Sequence, residues 1–177
     1  MKRTFFSLAL LLAVATLTAQ TKMTAREAAV KIADRILAST TYEFKNTKTG
    51  EIYKSVKKLP LDMDVKVACK YNNWHYTNGV TNMALMELGD KLGDKKYEKY
   101  VLKNMNFVFN EGNLDFFRKQ YDEAFKRDGW NAVRKLSWHM IFRGKRLDDN
   151  GPMGASLIEL QLKYPNDSFL GYINETA

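Results

Sequence analysis

The chain has few of the residues that build covalent or metal-based structure. Its 177 residues include one cysteine, Cys69, and two histidines, His75 and His139. A single cysteine excludes an internal disulfide framework and a cysteine-based zinc cluster, and two histidines argue against a histidine-rich metal site. With three prolines and ten glycines there is no collagen-like or low-complexity segment. The sequence therefore predicts no metal centre.

What remains is the composition of a globular protein. Hydrophobic residues make up 45% and charged residues 27% of the chain, and the formal net charge is +8. The length allows one domain with a real core. A positive charge is consistent with an anionic partner, but it does not choose among nucleic acid, a membrane surface and an acidic sugar.

Residues 1–19 have the pattern of a bacterial signal peptide. Lys2 and Arg3 precede an apolar run over residues 5–17, and a small-residue cleavage pattern ends at Ala19. The run is too short to span a membrane. We therefore expect export to the periplasm or cell surface, with no membrane span and no nucleic-acid partner. A buried amino-terminal helix is the alternative.

The rest of the chain, residues 20–177, is predicted to be all-α apart from one β-hairpin. A capping box at Thr24 and Glu27 starts the first helix. Alternation over residues 42–53 predicts the hairpin, and a packed loop follows to Asn73. Helical periodicity then predicts two apolar stripes, one of Val80, Met83, Ala84, Leu88 and Leu92, the other of Tyr97, Tyr100, Val101, Met105 and Val108.

Two helical hairpins repeat at a shift of 72 residues. Units of this kind stack side by side, in an open solenoid or a closed α/α toroid. The long connection over residues 106–150 favours the toroid, in which such loops build a site on one face. The aligned pairs include Gly79 and Gly151, Leu85 and Leu157, Lys91 and Lys163, Asp94 and Asn166, and Tyr100 and Tyr172.

Candidate site residues precede each of these two repeat glycines. Asp148 and Asp149 are expected in a loop at a helix start marked by Pro152, as a candidate acid pair or as a helix cap with a solvated acid. Aromatic and amide side chains suit a sugar site, although ordinary core packing also explains them. These candidates are Trp74, Tyr76 and Asn78.

A basic and aromatic run follows Gly129. It contains Trp130, His139 and Arg143, and it is expected to contain a helix. Such a run can bind an anion, and a solvated charged face with packed tryptophans is the alternative.

Several of these stretches together resemble the unsaturated glycuronyl and rhamnogalacturonyl hydrolases (glycoside hydrolase families 88 and 105). The resemblance covers nearly all of the chain after residue 19. Its most specific parts are Trp74-His-Tyr-Thr-Asn-Gly79 and Leu147-Asp-Asp149 followed by Gly151-Pro-Met-Gly154.

The resemblance implies an (α/α)6 toroid and a glycoside hydrolase. Family members remove an unsaturated uronic acid from oligosaccharides of the pectin or rhamnogalacturonan type that polysaccharide lyases produce. An aspartic acid protonates C4 of the C4=C5 bond and water adds at C5, without a metal or an organic cofactor. By resemblance Asp149 is the first active-site acid with Asp148 as its neighbour. Trp74, Tyr76, Asn78, His139 and Arg143 are the expected substrate-binding residues.

The sequence departs from the family pattern near its carboxyl end. The family's main acid lies in a Trp-x-Asp-Asp motif, which does not occur in these 177 residues. We therefore expect about half of the toroid, a chain cut within a helix, and weak or absent activity unless a companion chain completes the ring. The stripes of the last hairpin, at Leu157, Ile158 and Leu160 and at Phe169, Tyr172 and Ile173, are expected to leave apolar area uncovered. A non-catalytic helical-repeat module that binds a glycan or a partner chain is the alternative function.

Overall fold

The computed structural model describes residues 23–144 and 147–176. The predicted signal peptide over residues 1–19 lies outside them. The described chain divides after Ile32 into two compact units, and the packing discussed below belongs to the unit that begins at Ala33. The chain is mostly helical, as predicted, with one small antiparallel sheet.

The elements follow the chain in a simple order. Within the described residues the helices are α1 (Ala25–Ser39), α2 (Tyr76–Leu92), α3 (Lys96–Val108), α4 (Glu111–Val133), α5 (His139–Arg143), α6 (Leu147–Lys163) and α7 (Asp167–Thr176). The strands are β1 (Phe44–Asn46), β2 (Ile52–Tyr53) and β3 (Val65–Val67), in the order β2-β1-β3. A 3-10 turn over Lys70–Asn72 leads into α2.

The sheet confirms the predicted hairpin and adds a strand. Phe44 pairs with Tyr53 of β2 and, on its other side, with Val67 of β3, both antiparallel. The sequence predicts a loop where β3 forms. Three residues are too few to show a period. The strand also has a partner far away in sequence, since Nε2 of the buried Gln120 in α4 donates to the Val65 carbonyl at 3.1 Å.

The ends of the repeated helices obey local rules. Gly93 ends α2 in the left-handed region at φ 67°, as predicted for a glycine cap. The carboxylate of Asp94 accepts the Lys96 N–H at 3.0 Å, and 72 residues later the amide oxygen of Asn166 accepts the Ser168 N–H at 2.9 Å. Both side chains thus accept the N–H two residues on, but Asn166 directly precedes α7, whereas the N-cap of α3 is Lys95, so the predicted cap position of Asp94 is off by one residue.

The apolar stripe of α3 is buried as predicted, but the stripe predicted for α2 is right only in part, since Leu88 and Leu92 pack against the core and the other members do not. Val80 and Met83 are exposed, and the buried side of α2 carries Gly79, Asn82 and Gly89. The cause is close helix packing: a Cβ atom added to Gly79 would lie 2.4 Å from the Met153 nitrogen of α6. Small residues allow this approach where large apolar ones would not.

The last hairpin is better covered than the sequence predicts. Leu157, Leu160, Phe169 and Tyr172 are all buried, so the expectation of uncovered stripes is wrong for them. Ring contacts explain part of this burial, since the Phe169 ring lies 5.5 Å from the Phe109 ring. Exposed apolar area remains on α6, at Ile158 and Leu162.

Candidate functional site

The amino-terminal ends of α2 and α6 lie side by side, as the 72-residue repeat predicts. The indole Nε1 of Trp74, two residues before α2, donates to Oδ1 of Asn150 in α6 at 2.8 Å. One turn further, Gly79 lies against Pro152 and Met153. The segments that carry Trp74 and Asp148 are therefore neighbours at one end of the two hairpins.

Trp74 is a packing residue in this arrangement. Its side chain is 2% exposed, and its ring meets the rings of Phe109 and Tyr172 edge-on, with centroids 5.8 and 5.3 Å apart. An indole enclosed in this way offers no open face for a sugar. The expectation that Trp74 stacks on substrate is therefore corrected.

Asn78 also serves the fold. It is buried, and its Nδ2 donates to the carbonyls of Lys70 and Asn73 at 2.8 and 2.7 Å. These bonds anchor the 3-10 turn to the first turn of α2. The Asn78 amide is committed to the backbone, so its predicted role as a substrate ligand is corrected.

Tyr76 is the predicted aromatic residue that remains open at this end, with 47% of its surface exposed. Its ring centroid lies 6.2 Å from that of His75. His75 is the N-cap of α2, because its Nδ1 accepts the Thr77 N–H at 3.3 Å. His75 is not among the predicted site residues, although its place before a helix start makes it a candidate cap. The two rings form an exposed aromatic pair.

The acid pair lies in a helix and not in a loop. α6 begins at Leu147, so Asp148 and Asp149 occupy its first turn, and Pro152 stands inside the helix. First-turn carboxylates are stabilised by unpaired backbone N–H groups and by the helix dipole. Asp148 is exposed. The side chain of Asp149 lies outside the described part of the structure.

His139 and Arg143 gather around Trp130 in a second group. The Arg143 guanidinium lies over the Trp130 ring at 3.8 Å, and the His139 ring centroid is 5.6 Å from the same ring. The His139 Nδ1 is 2.7 Å from the Leu136 carbonyl. A buried nitrogen of Arg143, its NH1, has no hydrogen-bond partner among the described residues. The predicted site residues thus form two groups, each defined by its own contacts.

A charged cluster at the other end of α2 and α6 was not predicted. Glu98 of α3 is buried, and its carboxylate accepts from the Lys163 Nζ at 2.7 Å and from the Tyr164 hydroxyl at 2.5 Å. The Lys163 bond, followed by the Tyr164 bond, lowers the pKa of Glu98, and Glu98 in turn raises the pKa of Tyr164. Since Glu98 stays ionised and Tyr164 stays protonated at neutral pH, we assign this cluster to holding the hairpins together.

A depression of about 490 Å³ lies over this cluster. Its lining includes Asp90, whose Oδ2 is 3.4 Å from the Lys163 Nζ. Across residues 23–144 and 147–176, no group of three or more His, Cys, Asp or Glu side chains could hold a metal ion. Within the same ranges, no helix is long and apolar enough to cross a membrane.

Comparison with protein-family models gives no match to this chain, and no curated protein matches it.

Proposed function

We propose that this protein is a glycoside hydrolase of the unsaturated uronyl type, built on helical hairpins of an α/α toroid and acting outside the cytoplasm. The observation that supports this best is the parallel placement of α2 and α6, with Trp74 bonded to Asn150 at 2.8 Å. It places the acid pair Asp148 and Asp149 next to the segment that carries the exposed Tyr76. Hydration of a sugar double bond requires a general acid, and an exposed aromatic ring beside it can hold the sugar ring in place.

In this proposal the carboxyl group of Asp149 delivers a proton to C4 of the unsaturated uronate. Water adds its oxygen at C5 and returns a proton to the base form of the acid, and the resulting hemiketal opens and releases the leaving sugar. The amino-terminal ends of two helices favour the anionic substrate electrostatically. Since the family's Trp-x-Asp-Asp motif does not occur in the 177 residues, we expect slow turnover.

The test follows the absorbance of the conjugated uronate in an unsaturated rhamnogalacturonan disaccharide incubated with the full chain. Asp149→Asn should lower the rate by about 10²–10⁴-fold, the usual contribution of a general acid. Asp167→Asn is the matched control, because Asp167 is likewise a first-turn acid, in α7, and is exposed. Turnover that survives both Asp148→Asn and Asp149→Asn would refute the site, and binding of saturated and unsaturated oligosaccharides alike without any turnover would refute the hydrolase.

A non-catalytic glycan-binding module is the second candidate. Trp74 and Asn78 serve the packing of the fold and are not open to a ligand. The Tyr76 and His75 rings remain as an exposed aromatic surface at the start of α2, and such a surface suits glycan binding. Calorimetric titration with saturated and unsaturated pectin oligosaccharides separates the two functions. A module should bind both and turn over neither, and Tyr76→Ala should abolish the binding.

A further inference from the structure

Helices α2 and α6 meet through two different faces. A Cβ on Gly79 would lie 2.4 Å from atoms of Pro152 and Met153, and the Asp90 carboxylate lies 3.4 Å from the Lys163 Nζ. Gly79 and Asp90 are eleven residues apart, which is three helical turns, so they share one side of α2. We call this side the glycine face of α2, made of Gly79, Met86 and Asp90. The side of α6 that it meets is the receiving face, made of Pro152, Met153 and Lys163.

The repeat gives α6 a glycine face of its own, and that face is open. Its residues are Gly151, Ile158 and Leu162, each 72 positions after its counterpart. Met86 is fully buried, whereas its counterpart Ile158 is 47% exposed and Leu162 is 80% exposed. A Cβ on Gly151 would meet no other described atom within 4 Å. α6 thus presents to solvent the face through which α2 packs.

The repeat also gives α2 a receiving face, and it is open as well. Val80 is 48% exposed, and the Lys91 side chain is 75% exposed. Thr81, the residue after Val80, is half-buried. Their counterparts in α6 are Pro152, Lys163 and Met153, respectively. Within residues 23–144 and 147–176, nothing covers either face, so the chain carries both halves of a contact that it already makes once internally.

We infer that this surface binds a second copy of the same chain, with the α6 glycine face of one copy against the α2 receiving face of the next. The occupant is a copy of this chain because the required receiving face is present on it, and because the new contact continues the α2–α6 interface. The replacement of Asp90 by Leu162 makes the open glycine face more apolar than the internal one. Because the two faces differ, the association is head-to-tail, and each dimer keeps one free face of each kind.

The experiment measures the mass of the full chain by light scattering over a wide range of concentration. The parent should exceed the monomer mass increasingly with concentration. One variant carries Ile158→Asp and Leu162→Asp, and the other carries Val80→Asp and Ala84→Asp, at exposed positions one turn apart. Each variant alone should remain a monomer with the far-UV circular dichroism of the parent.

An equal mixture of the two variants tests whether the contact is head-to-tail, with the α6 glycine face of one copy against the α2 receiving face of the other. Each variant keeps one intact face, so the mixture should form a dimer and stop there. Phe125→Asp is the matched control, since Phe125 on α4 is 53% exposed and lies on neither face. A parent that stays monomeric, a mixture that does not dimerise, or a control that also abolishes association would each overturn the inference.

Discussion

A methyl group added to Gly79 tests the close contact between α2 and α6. The ideal Cβ of Gly79 lies 2.4 Å from the Met153 nitrogen and the Pro152 carbonyl carbon, and 2.8 Å from the Pro152 Cβ. Non-bonded heavy atoms prefer about 3.5–4.0 Å, so the helices must separate by about 1 Å. Two of the three contacted atoms belong to the backbone, which cannot rotate away as a long side chain would.

We expect Gly79→Ala to be destabilising despite the better helix propensity of alanine. Overpacking of a dense interface costs about 1–3 kcal/mol, and propensity returns at most about 1 kcal/mol. With the full propensity gain subtracted, the free energy of unfolding should fall by up to about 2 kcal/mol. For a chain of this size each kcal/mol lowers the melting temperature by about 2–4 °C.

Urea unfolding and thermal melting of dilute full chain, followed by circular dichroism, give the magnitude. Gly151→Ala is the control at the equivalent repeat position, where a Cβ has no other described neighbour within 4 Å. It should stabilise by about 0.4–1 kcal/mol, because alanine restricts the unfolded chain. Close packing at Gly79 would be contradicted by a Gly79→Ala variant as stable as the parent, or by equal shifts in stability from both substitutions.

Three further substitutions test named contacts, each by urea unfolding. The bond from Lys163 lowers the folded-state pKa of Glu98, so the parent should lose stability as the pH falls below about 4.5. Glu98→Gln should remove that stability at neutral pH and with it this part of the acid dependence. An unchanged acid dependence in the variant would contradict this. Trp74→Phe should cost about 1–3 kcal/mol because the half-buried Asn150 oxygen loses its indole donor and keeps the longer bond from the Tyr172 hydroxyl at 3.4 Å, and a neutral result would show that this bond replaces the lost one. Asn78→Ala should cost about 1–3 kcal/mol and speed amide hydrogen exchange before α2, whereas unaltered exchange there would exclude an anchoring role.

Features that depend on neighbours in sequence were predictable. Gly93 ends α2 and Asn166 begins α7 as expected, by rules that involve a few adjacent residues, and Asp94 makes its expected side-chain bond one residue before the N-cap of α3. The stripe on α3 was equally predictable, because that helix buries its most apolar side. The hairpin over residues 42–53 needed only alternation around a turn.

Features that depend on distant residues were not predictable. Strand β3 pairs with β1 and also accepts a bond from Gln120, 55 residues away from Val65, and a short segment gives no sign of either partner. α2 buries glycine and asparagine in place of Val80 because α6 approaches it closely. The sequence indicates only that Trp74 is an aromatic residue near a helix start. Phe109 and Tyr172, which enclose its ring, are distant in sequence, so its burial could not be predicted.

The repeat itself separates structural from functional positions at the helix starts. A shift of 72 residues aligns Asn78 with Asn150, and each amide is engaged in a hydrogen bond that ties its helix to a neighbouring segment. The same shift aligns Tyr76 with Asp148, and both are exposed although their chemistry differs completely. The hydrogen bonds require similar residues at the Asn78–Asn150 pair, and no such requirement falls on the exposed pair. Side chains for an external ligand therefore belong at the exposed positions, which is why Tyr76 and the acid pair that begins at Asp148 carry the proposed site.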